Sequence, residues 1–144
     1  MRKAALVTGA SRGIGRAIAW ELAREGWCVG INYHTHGREA EELAAAIREA
    51  GCDAVAVAGD VADRAQAAKM ARAAEAELGP ISLLVNNAGI SYQGLFQDLT
   101  DAQWERSFAV NVGGARNAIL AVLPRMISQQ RGCIVNISSM WGLR

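Results

Sequence analysis

Hydrophobic positions along the chain form short continuous runs separated by longer stretches with helical spacing. A short run of apolar, β-prone residues without polar alternation favours a strand that is covered on both faces. Such runs predict strands at 4–7, 27–33, 54–58, 81–85 and 133–137. Between them, apolar residues recur every three or four positions, which indicates helices with one apolar face.

The predicted helices have recognisable beginnings and ends. They lie between Ile14 and Gly26, at 38–50, from Asp63 to Leu78 and, with a bend, from Thr100 to Ser128. Asp63 is suited to cap the third helix, and Thr100 with Gln103 forms a capping-box pattern. Strict alternation of strands and helices predicts an α/β fold with a parallel sheet covered on both faces, and a ligand at the carboxyl ends of the strands.

Composition narrows the kind of ligand. The 144 residues are 51% hydrophobic and 20% charged, with a net charge of +1. This balance predicts no nucleic-acid partner and no membrane association, and favours a small molecule. Because the sequence contains no signal-type or membrane-spanning apolar segment, we expect a cytoplasmic protein.

The three cysteines predict neither a disulfide nor a metal site. Cys28, Cys52 and Cys133 are odd in number, widely spaced and mostly flanked by apolar residues. We therefore expect buried free thiols.

A glycine-rich turn follows the first predicted strand. Residues 4–15 read AALVTGASRGIG. Gly9 lets the chain leave the strand tightly, Gly13 lets the backbone approach a pyrophosphate, and Gly15 lets the next helix lie close to the sheet. The helix directs its free N–H groups and positive dipole end at the phosphates. The pattern predicts a dinucleotide-binding turn, although a plain strand-to-helix connection also uses small residues.

Four motifs in the right order resemble the short-chain dehydrogenase/reductase family. They are the glycine turn with Thr8 and Arg12, Asp60-Val61, Asn86-Asn87-Ala88-Gly89 and Asn136-Ile137-Ser138-Ser139. The resemblance spans nearly the whole chain. It implies an oxidoreductase with a Rossmann doubly wound parallel sheet, truncated after the fifth strand, in one incomplete NAD(P)-binding domain over 1–144.

The resemblance also implies which residues contact the cofactor. The candidates are Gly9, Ser11, Arg12, Gly13, Ile14, Gly15, Asn32, His34, Asp60, Val61, Asn87, Ala88 and Gly89. In the family, the pair at Asp60-Val61 borders the adenine, and the aspartate accepts a hydrogen bond from its amino group. A turn aspartate ahead of a helix is the alternative. The motif at 87–89 lets the backbone approach the cofactor ribose.

The end of the second predicted strand favours NADPH over NADH. An acidic residue there would bind the free ribose 2′-hydroxyl, but residues 32–34 are Asn, Tyr and His. Arg12 stands where NADP-dependent members of the family commonly hold a basic residue, and a guanidinium is suited to a phosphate. His34 and Arg38 are weaker candidates for the same phosphate. Arg12 as a solvated surface residue is the alternative.

Asn111 and Ser139 are the catalytic candidates. Asn111 stands inside a helical stretch, where asparagine has no propensity advantage. In the family, an asparagine here bends the helix and holds a water of the proton relay; a partly buried asparagine satisfied by backbone groups is the alternative. Ser139 matches the serine that donates to the reacting carbonyl oxygen, and Ser138 is the neighbour with which it can be confused.

The family's Tyr-x-x-x-Lys pair is absent. The tyrosines, Tyr33 and Tyr92, and the lysines, Lys3 and Lys69, lack that spacing. In the family, the tyrosine protonates the developing alkoxide and the lysine lowers the tyrosine pKa. We interpret the sequence as the N-terminal part of a reductase and expect the 144-residue chain alone to be inactive. The alternative is a non-catalytic dinucleotide-binding module.

The motifs are most similar to the 3-oxoacyl-acyl-carrier-protein reductase branch. Residues 136–142, NISSMWG, also resemble reductases of the 5-aminopentanone modification of elongation factor P. The expected substrate is a small-molecule or acyl-carrier-bound ketone, or the corresponding alcohol.

The helical stretch after Asn111 has apolar residues on both sides. One stripe contains Val112, Ala115, Ile119, Val122 and Met126, and the other contains Ala118, Leu120, Ala121 and Leu123. A helix packed only on its own sheet would have a polar outer face. We therefore expect a homo-oligomer, a dimer or tetramer, unless a later helix of the same chain covers this surface.

Overall fold

Five parallel strands alternate with helices through residues 3–140, the part of the chain that this computed structural model describes. The strands are β1 (Ala4–Val7), β2 (Cys28–Tyr33), β3 (Ala54–Ala58), β4 (Ile81–Asn86) and β5 (Cys133–Asn136). The helices are α1 (Gly13–Arg24), α2 (Gly37–Glu49), α3 (Arg64–Leu78), α4 (Asp101–Phe108) and α5 (Ala115–Ser128). A short 3₁₀ helix spans Phe96–Asp98, and a π-helical segment, Ala109–Gly114, joins α4 to α5.

The strand order is β3-β2-β1-β4-β5, and every neighbouring pair is parallel. The chain runs outward from β1 to β3 and then returns to place β4 on the other side of β1. This order confirms the predicted doubly wound Rossmann sheet. Beyond the carboxyl ends of β1 and β4 the connections leave in opposite directions, which opens a crevice for a ligand.

Alternating side chains of the central strands build two hydrophobic cores. Leu6 and Leu84 point to the face covered by α3 and α5, where they pack with Met70 and Val122. The neighbouring positions of the same strands point to the face covered by α1 and α2. Because both faces are covered, β1 is apolar throughout and β4 is largely so. The polar residue inside β4, Ser82, is buried and donates a hydrogen bond of 3.4 Å to Ala4 O.

The predicted caps are present. The Asp63 carboxylate accepts a hydrogen bond of 2.9 Å from Gln66 N, which lowers the pKa of Asp63. Thr100 and Gln103 form both hydrogen bonds of a capping box at the start of α4. Element ends differ from prediction by about one residue, as expected where helices and strands fray.

The cysteine prediction holds only in part. Within the described residues, Cys28, Cys52 and Cys133 form no disulfide, but only Cys28 is buried, Cys52 is half-buried and Cys133 is exposed. Cys133 begins β5, the last strand of the sheet, which is largely exposed along its length. Its apolar sequence neighbours therefore give it little cover.

The buried apolar residues of helix α5 come from both predicted stripes, with Val122 and Met126 from one and Ala118 from the other. Its buried residues are Asn117, Ala118, Val122 and Met126, and Val112 is 60% exposed. The π-helical segment changes the angular position of residues before and after it, so a single helical period does not describe both. Within 3–140, none of the helices combines the length and apolarity needed to cross a bilayer.

Candidate dinucleotide-binding site

An open pocket of about 390 Å³ lies at the carboxyl ends of the first four strands. It is lined by residues 9, 11–14, 32–36, 59–61, 87–90, 106 and 110. The structure therefore brings together all the cofactor-binding candidates except Gly15, although they come from four separate loops. Gly15 lies in the first turn of α1 and is buried.

The three glycines of the turn have distinct surroundings. Gly9 has φ +60°, and a Cβ there would lie 2.9 Å from Ala88 Cα. Gly13 has φ +59° and faces open space, so its backbone is accessible to a ligand. At Gly15, a Cβ would collide with the Asn87 side chain and lie 2.6 Å from Gly9 O. These contacts fit the predicted roles of a tight exit, an open approach and close helix packing.

Thr8 and Asn87 join the glycine turn to the loop after β4. Thr8 Oγ1 accepts hydrogen bonds from Asn87 N and Ala88 N, each 3.0 Å long, and donates to Val85 O at 3.4 Å. Asn87 Nδ2 donates to Thr8 O at 3.0 Å and to Gly9 O at 3.1 Å. Thr8 is 1% exposed, so these bonds form away from solvent. The network holds the two loops on either side of the crevice in one arrangement.

Asn32 lies at the floor of the pocket with its side chain bound to backbone groups. Its Oδ1 accepts from Gly9 N at 3.1 Å, and its Nδ2 donates to Gly59 O at 3.0 Å and to Val57 O at 3.3 Å. The residue is 1% exposed. Asn32 thus connects the ends of β1, β2 and β3 and shapes the pocket.

One arginine and two histidines lie at the mouth of the pocket. Arg12 is exposed and occupies the N-cap position of α1. His34 and His36 line the same region. Arg38 instead forms an ion pair with Glu42, with Nε and Oε1 2.8 Å apart, and this contact raises the pKa of Arg38. Among the described residues, the basic side chains beside the end of β2 that line the pocket are therefore Arg12, His34 and His36.

Asp60 follows β3, and both of its carboxylate oxygens have partners. Oδ1 accepts from Ala62 N at 2.9 Å, which is the turn geometry expected of an aspartate ahead of a helix. Oδ2 lies 2.9 Å from Arg106 Nη2 and 3.8 Å from His34 Nε2. Sequence reasoning did not identify Arg106, because α4 reaches Asp60 only through the fold.

Asn117 is a second residue that sequence reasoning missed. It is buried on α5, and its Nδ2 donates to Val61 O at 3.0 Å and Ala62 O at 3.2 Å. A buried asparagine within an apolar helical stretch is an available sequence signal, since it requires polar partners. The contact holds the loop that carries Asp60 and Val61 against α5.

Asn111 lies in the π-helical segment, which replaces the predicted bend. Its Oδ1 accepts from Ile90 N at 2.8 Å, and its Nδ2 donates to Ile90 O at 2.9 Å. Both amide atoms thus bind the backbone of the loop after β4.

Asn111 and Ser138 line a second cavity of about 510 Å³, and Ser139 is exposed beyond β5. The end of the 136–142 motif lies outside the described residues.

The fold and this pocket define the class of protein. A glycine turn at the switch point of a doubly wound parallel sheet, with open backbone at a helix N-terminus, is the arrangement of a dinucleotide-binding Rossmann domain. The sequence profile described as short chain dehydrogenase matches residues 3–144. The chain therefore belongs to the short-chain dehydrogenase/reductase family.

Curated relatives share this family. The chain is 39% identical over 142 residues to 3-oxoacyl-acyl-carrier-protein reductase FabG of Staphylococcus aureus, covering 99% of the chain and 58% of the relative. It is 42% identical over 138 residues to the short-chain dehydrogenase/reductase FrzI of a Cladobotryum species, covering 96% of the chain and 53% of the relative. The chain thus spans between half and three fifths of the length of these proteins.

Solved structures are also similar. A short-chain dehydrogenase/reductase double mutant from Serratia marcescens has a TM-score of 0.91 and 36% identity, covering 99% of this chain and 57% of that protein. A blue fluorescent protein from a metagenomic library, solved with NADPH, has a TM-score of 0.89 and 35% identity, with coverages of 99% and 57%. A metagenomic short-chain oxidoreductase solved with NADP has the same score and identity, with coverages of 97% and 62%.

Replacing Thr8 tests the network that joins the two loops. Thr8→Val keeps the shape but leaves Asn87 N and Ala88 N without their acceptor. Both donors are partly buried, so we expect a cost towards the lower end of the about 1–3 kcal/mol typical of a buried unpaired donor. Thr8→Ser keeps the hydroxyl and is the matched control. We expect urea unfolding to show a clearly larger loss of stability for Thr8→Val. Equal losses for the two variants would show that the hydroxyl contributes no more than the methyl group, and a larger loss for Thr8→Ser would show that the methyl group is the important contact.

Proposed function

We propose that the whole protein is an NADPH-dependent carbonyl reductase of the 3-oxoacyl-acyl-carrier-protein type. The observation that carries the proposal is the pocket at the switch point, which combines a glycine turn, a helix N-terminus and an exposed arginine with no carboxylate at the end of β2. The reductase name of the Staphylococcus aureus relatives and the NADPH and NADP complexes of the solved neighbours support it.

The residues of the pocket fit a phosphorylated dinucleotide. The open side of Gly13 leaves room for a pyrophosphate, and the α1 N-terminus supplies unpaired N–H groups there. Arg12 would bind the 2′-phosphate, because a guanidinium forms charge-assisted hydrogen bonds with phosphate oxygens. Asp60 and Val61 would border the adenine, and the backbone at 87–89 would contact the ribose.

The catalytic part of the proposal concerns Asn111 and Ser139. The bound cofactor supplies the hydride, and the protein must position the ketone and provide a proton. Ser139 donates a hydrogen bond to the carbonyl oxygen, where negative charge develops. Asn111 fixes the loop after β4 through Ile90 and holds a water of the proton relay on its exposed side. The proton donor itself is a tyrosine in the part of the whole protein that this chain does not contain.

An activity assay tests the proposed reaction. The whole protein is expected to oxidise NADPH in the presence of an acetoacetyl thioester, followed by loss of NADPH absorbance. The 144-residue chain alone is expected to show no turnover, because a positioned acid contributes about 10²- to 10⁴-fold and this sequence has no Tyr-x-x-x-Lys pair. A whole protein that binds NADPH but reduces no ketone would instead support a non-catalytic binding module.

Cofactor preference tests the role of Arg12. We expect the whole protein to bind NADPH more tightly than NADH, and Arg12→Ala to weaken NADPH binding selectively by about tenfold or more. Arg24→Ala, at the opposite end of α1 and paired with Glu21, is the matched control and should leave both affinities unchanged. Cofactor titrations followed by fluorescence measure these affinities. Equal loss of NADPH and NADH binding in Arg12→Ala would mean that Arg12 only shapes the turn.

We further propose that the whole protein is a homo-oligomer, a dimer or tetramer, assembled through α5. Leu120 is 36% exposed and Ile127 is 65% exposed on this helix, although its other face packs on the sheet. Exposed apolar surface of this kind favours a partner. If two copies meet about a twofold axis, the exposed face of α5 in one copy contacts the same face of α5 in the other.

Light scattering tests the assembly. The intact protein should be oligomeric at micromolar concentration, and Leu120→Asp should lower the mass of the particles in solution, because a charge placed in the interface would weaken the assembly. Ala17→Asp, on an exposed position of α1 across the sheet, is the matched control. A monomeric whole protein would favour coverage of α5 by a later helix of the same chain.

A further inference from the structure

The pocket contains one carboxylate, and an arginine from another part of the chain contacts it. Among the described side chains that line the pocket, Asp60 is the only acid, and its side chain is 15% exposed. Arg106 Nη2 lies 2.9 Å from Asp60 Oδ2. Arg106 itself lines the pocket and is 37% exposed. A partly buried acid is therefore held by a cation that faces the same ligand space.

Two donors fix the orientation of the Asp60 carboxylate. Ala62 N binds Oδ1 at 2.9 Å, and Arg106 binds Oδ2 at the same distance. The backbone of Asp60 is held as well, since its N–H donates to Gln66 Oε1 at 3.0 Å. With one donor on each oxygen, rotation of the carboxylate breaks a hydrogen bond. Without Arg106, the group would keep the local bond from Ala62 and the more distant contact of Oδ2 with His34 Nε2, at 3.8 Å.

The position of Arg106 within α4 supports an orienting role over a stabilising one. None of the residues of α4 is buried. A partly exposed ion pair also contributes little to folding stability, because solvent screens it. Solvent does not screen the effect of Arg106 on the orientation of the Asp60 carboxylate in this way. That orientation determines which lone pairs of the carboxylate accept from the protein and which remain available to a ligand.

We infer that Arg106 is a positioning residue for the adenine end of the pocket. By donating to Oδ2 from α4, Arg106 holds the Asp60 carboxylate in one orientation. In that orientation, the remaining lone pairs of the carboxylate accept a hydrogen bond from the 6-amino group of the adenine. The inference rests on the proposed NADPH site and adds a residue from α4 to it. Arg106 acts through Asp60 and contributes to the selection of the purine base.

The identity of the purine provides a specific readout. Hypoxanthine carries a 6-oxo group in place of the 6-amino group, so an acceptor such as a carboxylate favours adenine and repels hypoxanthine. Hydrogen bonds to charged groups correspond to about a tenfold effect or more on affinity. The ratio of the dissociation constants of NADPH and its hypoxanthine analogue therefore reports the orientation of Asp60, and general loosening of the pocket changes both constants together.

The first experiment measures this ratio in the whole protein and in variants of Arg106. The unmodified protein should prefer NADPH by about tenfold or more, and Arg106→Gln should remove most of that preference. Arg106→Lys keeps the charge but loses the fixed planar geometry, and an intermediate ratio is expected. Arg72→Gln, at an exposed position of α3, is the matched control and should keep the original ratio. The melting temperature of each variant verifies that it is folded.

The second experiment asks whether Arg106 acts through Asp60. Asp60→Asn should abolish the purine preference, because an amide can pair with either group. In that background, Arg106→Gln should cause no further change in the ratio. A further change would overturn the inference, because Arg106 would then act by another route.

The remaining outcomes separate the inference from the proposed function. An unchanged ratio in folded Arg106→Gln or Arg106→Lys would overturn the role of Arg106 and leave the NADPH site intact. Equal binding of both purines by the unmodified protein would overturn the role of Asp60 and, with it, that of Arg106. A whole protein that binds neither dinucleotide would overturn the proposed function itself.

Discussion

The close approach of the glycine turn and the loop after β4 is the constraint on which the rest of the site depends. Gly9 packs on Ala88 and Gly15 packs on Asn87 with no room for a Cβ at either position. The Thr8 hydroxyl lies between the two loops and accepts hydrogen bonds from Asn87 N and Ala88 N. Because α1 packs so closely on the sheet, its N-terminus lies directly at the crevice between β1 and β4. A looser junction would move both the helix and the loop away from a shared ligand.

Strands and caps were largely predictable from sequence because local forces determine them. The bounds of β1 and β3 follow from short apolar runs, and Asp63 caps α3 as its position before an alanine-rich helix predicts. The lining of the pocket was also predictable, since parallel strands bring their carboxyl ends to one edge of the sheet. The exposure of side chains at the edge of the sheet was not predictable from sequence. Cys133 has apolar neighbours in the sequence, but it lies on the last strand of the sheet and is exposed.

Residues that act across the fold were the hardest to anticipate. Arg106 and Asn117 come from consecutive parts of the helical region, yet both bind the loop after β3, more than forty positions earlier in the chain. Neither belongs to a motif with fixed spacing. The loop that carries Asp60 is thus held from α4 by an ion pair and from α5 by a buried amide, and its placement is a property of the assembled fold.

The π-helical segment at Ala109–Gly114 has a consequence for how this chain can tolerate insertions and deletions. A π turn accommodates one residue more than the regular helical path requires. Deleting one residue there would return the segment to regular helix and leave the orientation of α5 unchanged, because the π turn has already absorbed the additional residue. Deleting one residue at the start of α5 would instead rotate the rest of that helix by about 100°. Val122 and Met126 would then leave the core, and Asn117 would lose the carbonyls of Val61 and Ala62. A change of one residue in chain length is therefore tolerated far better in the π-helical segment than in the helix that follows it.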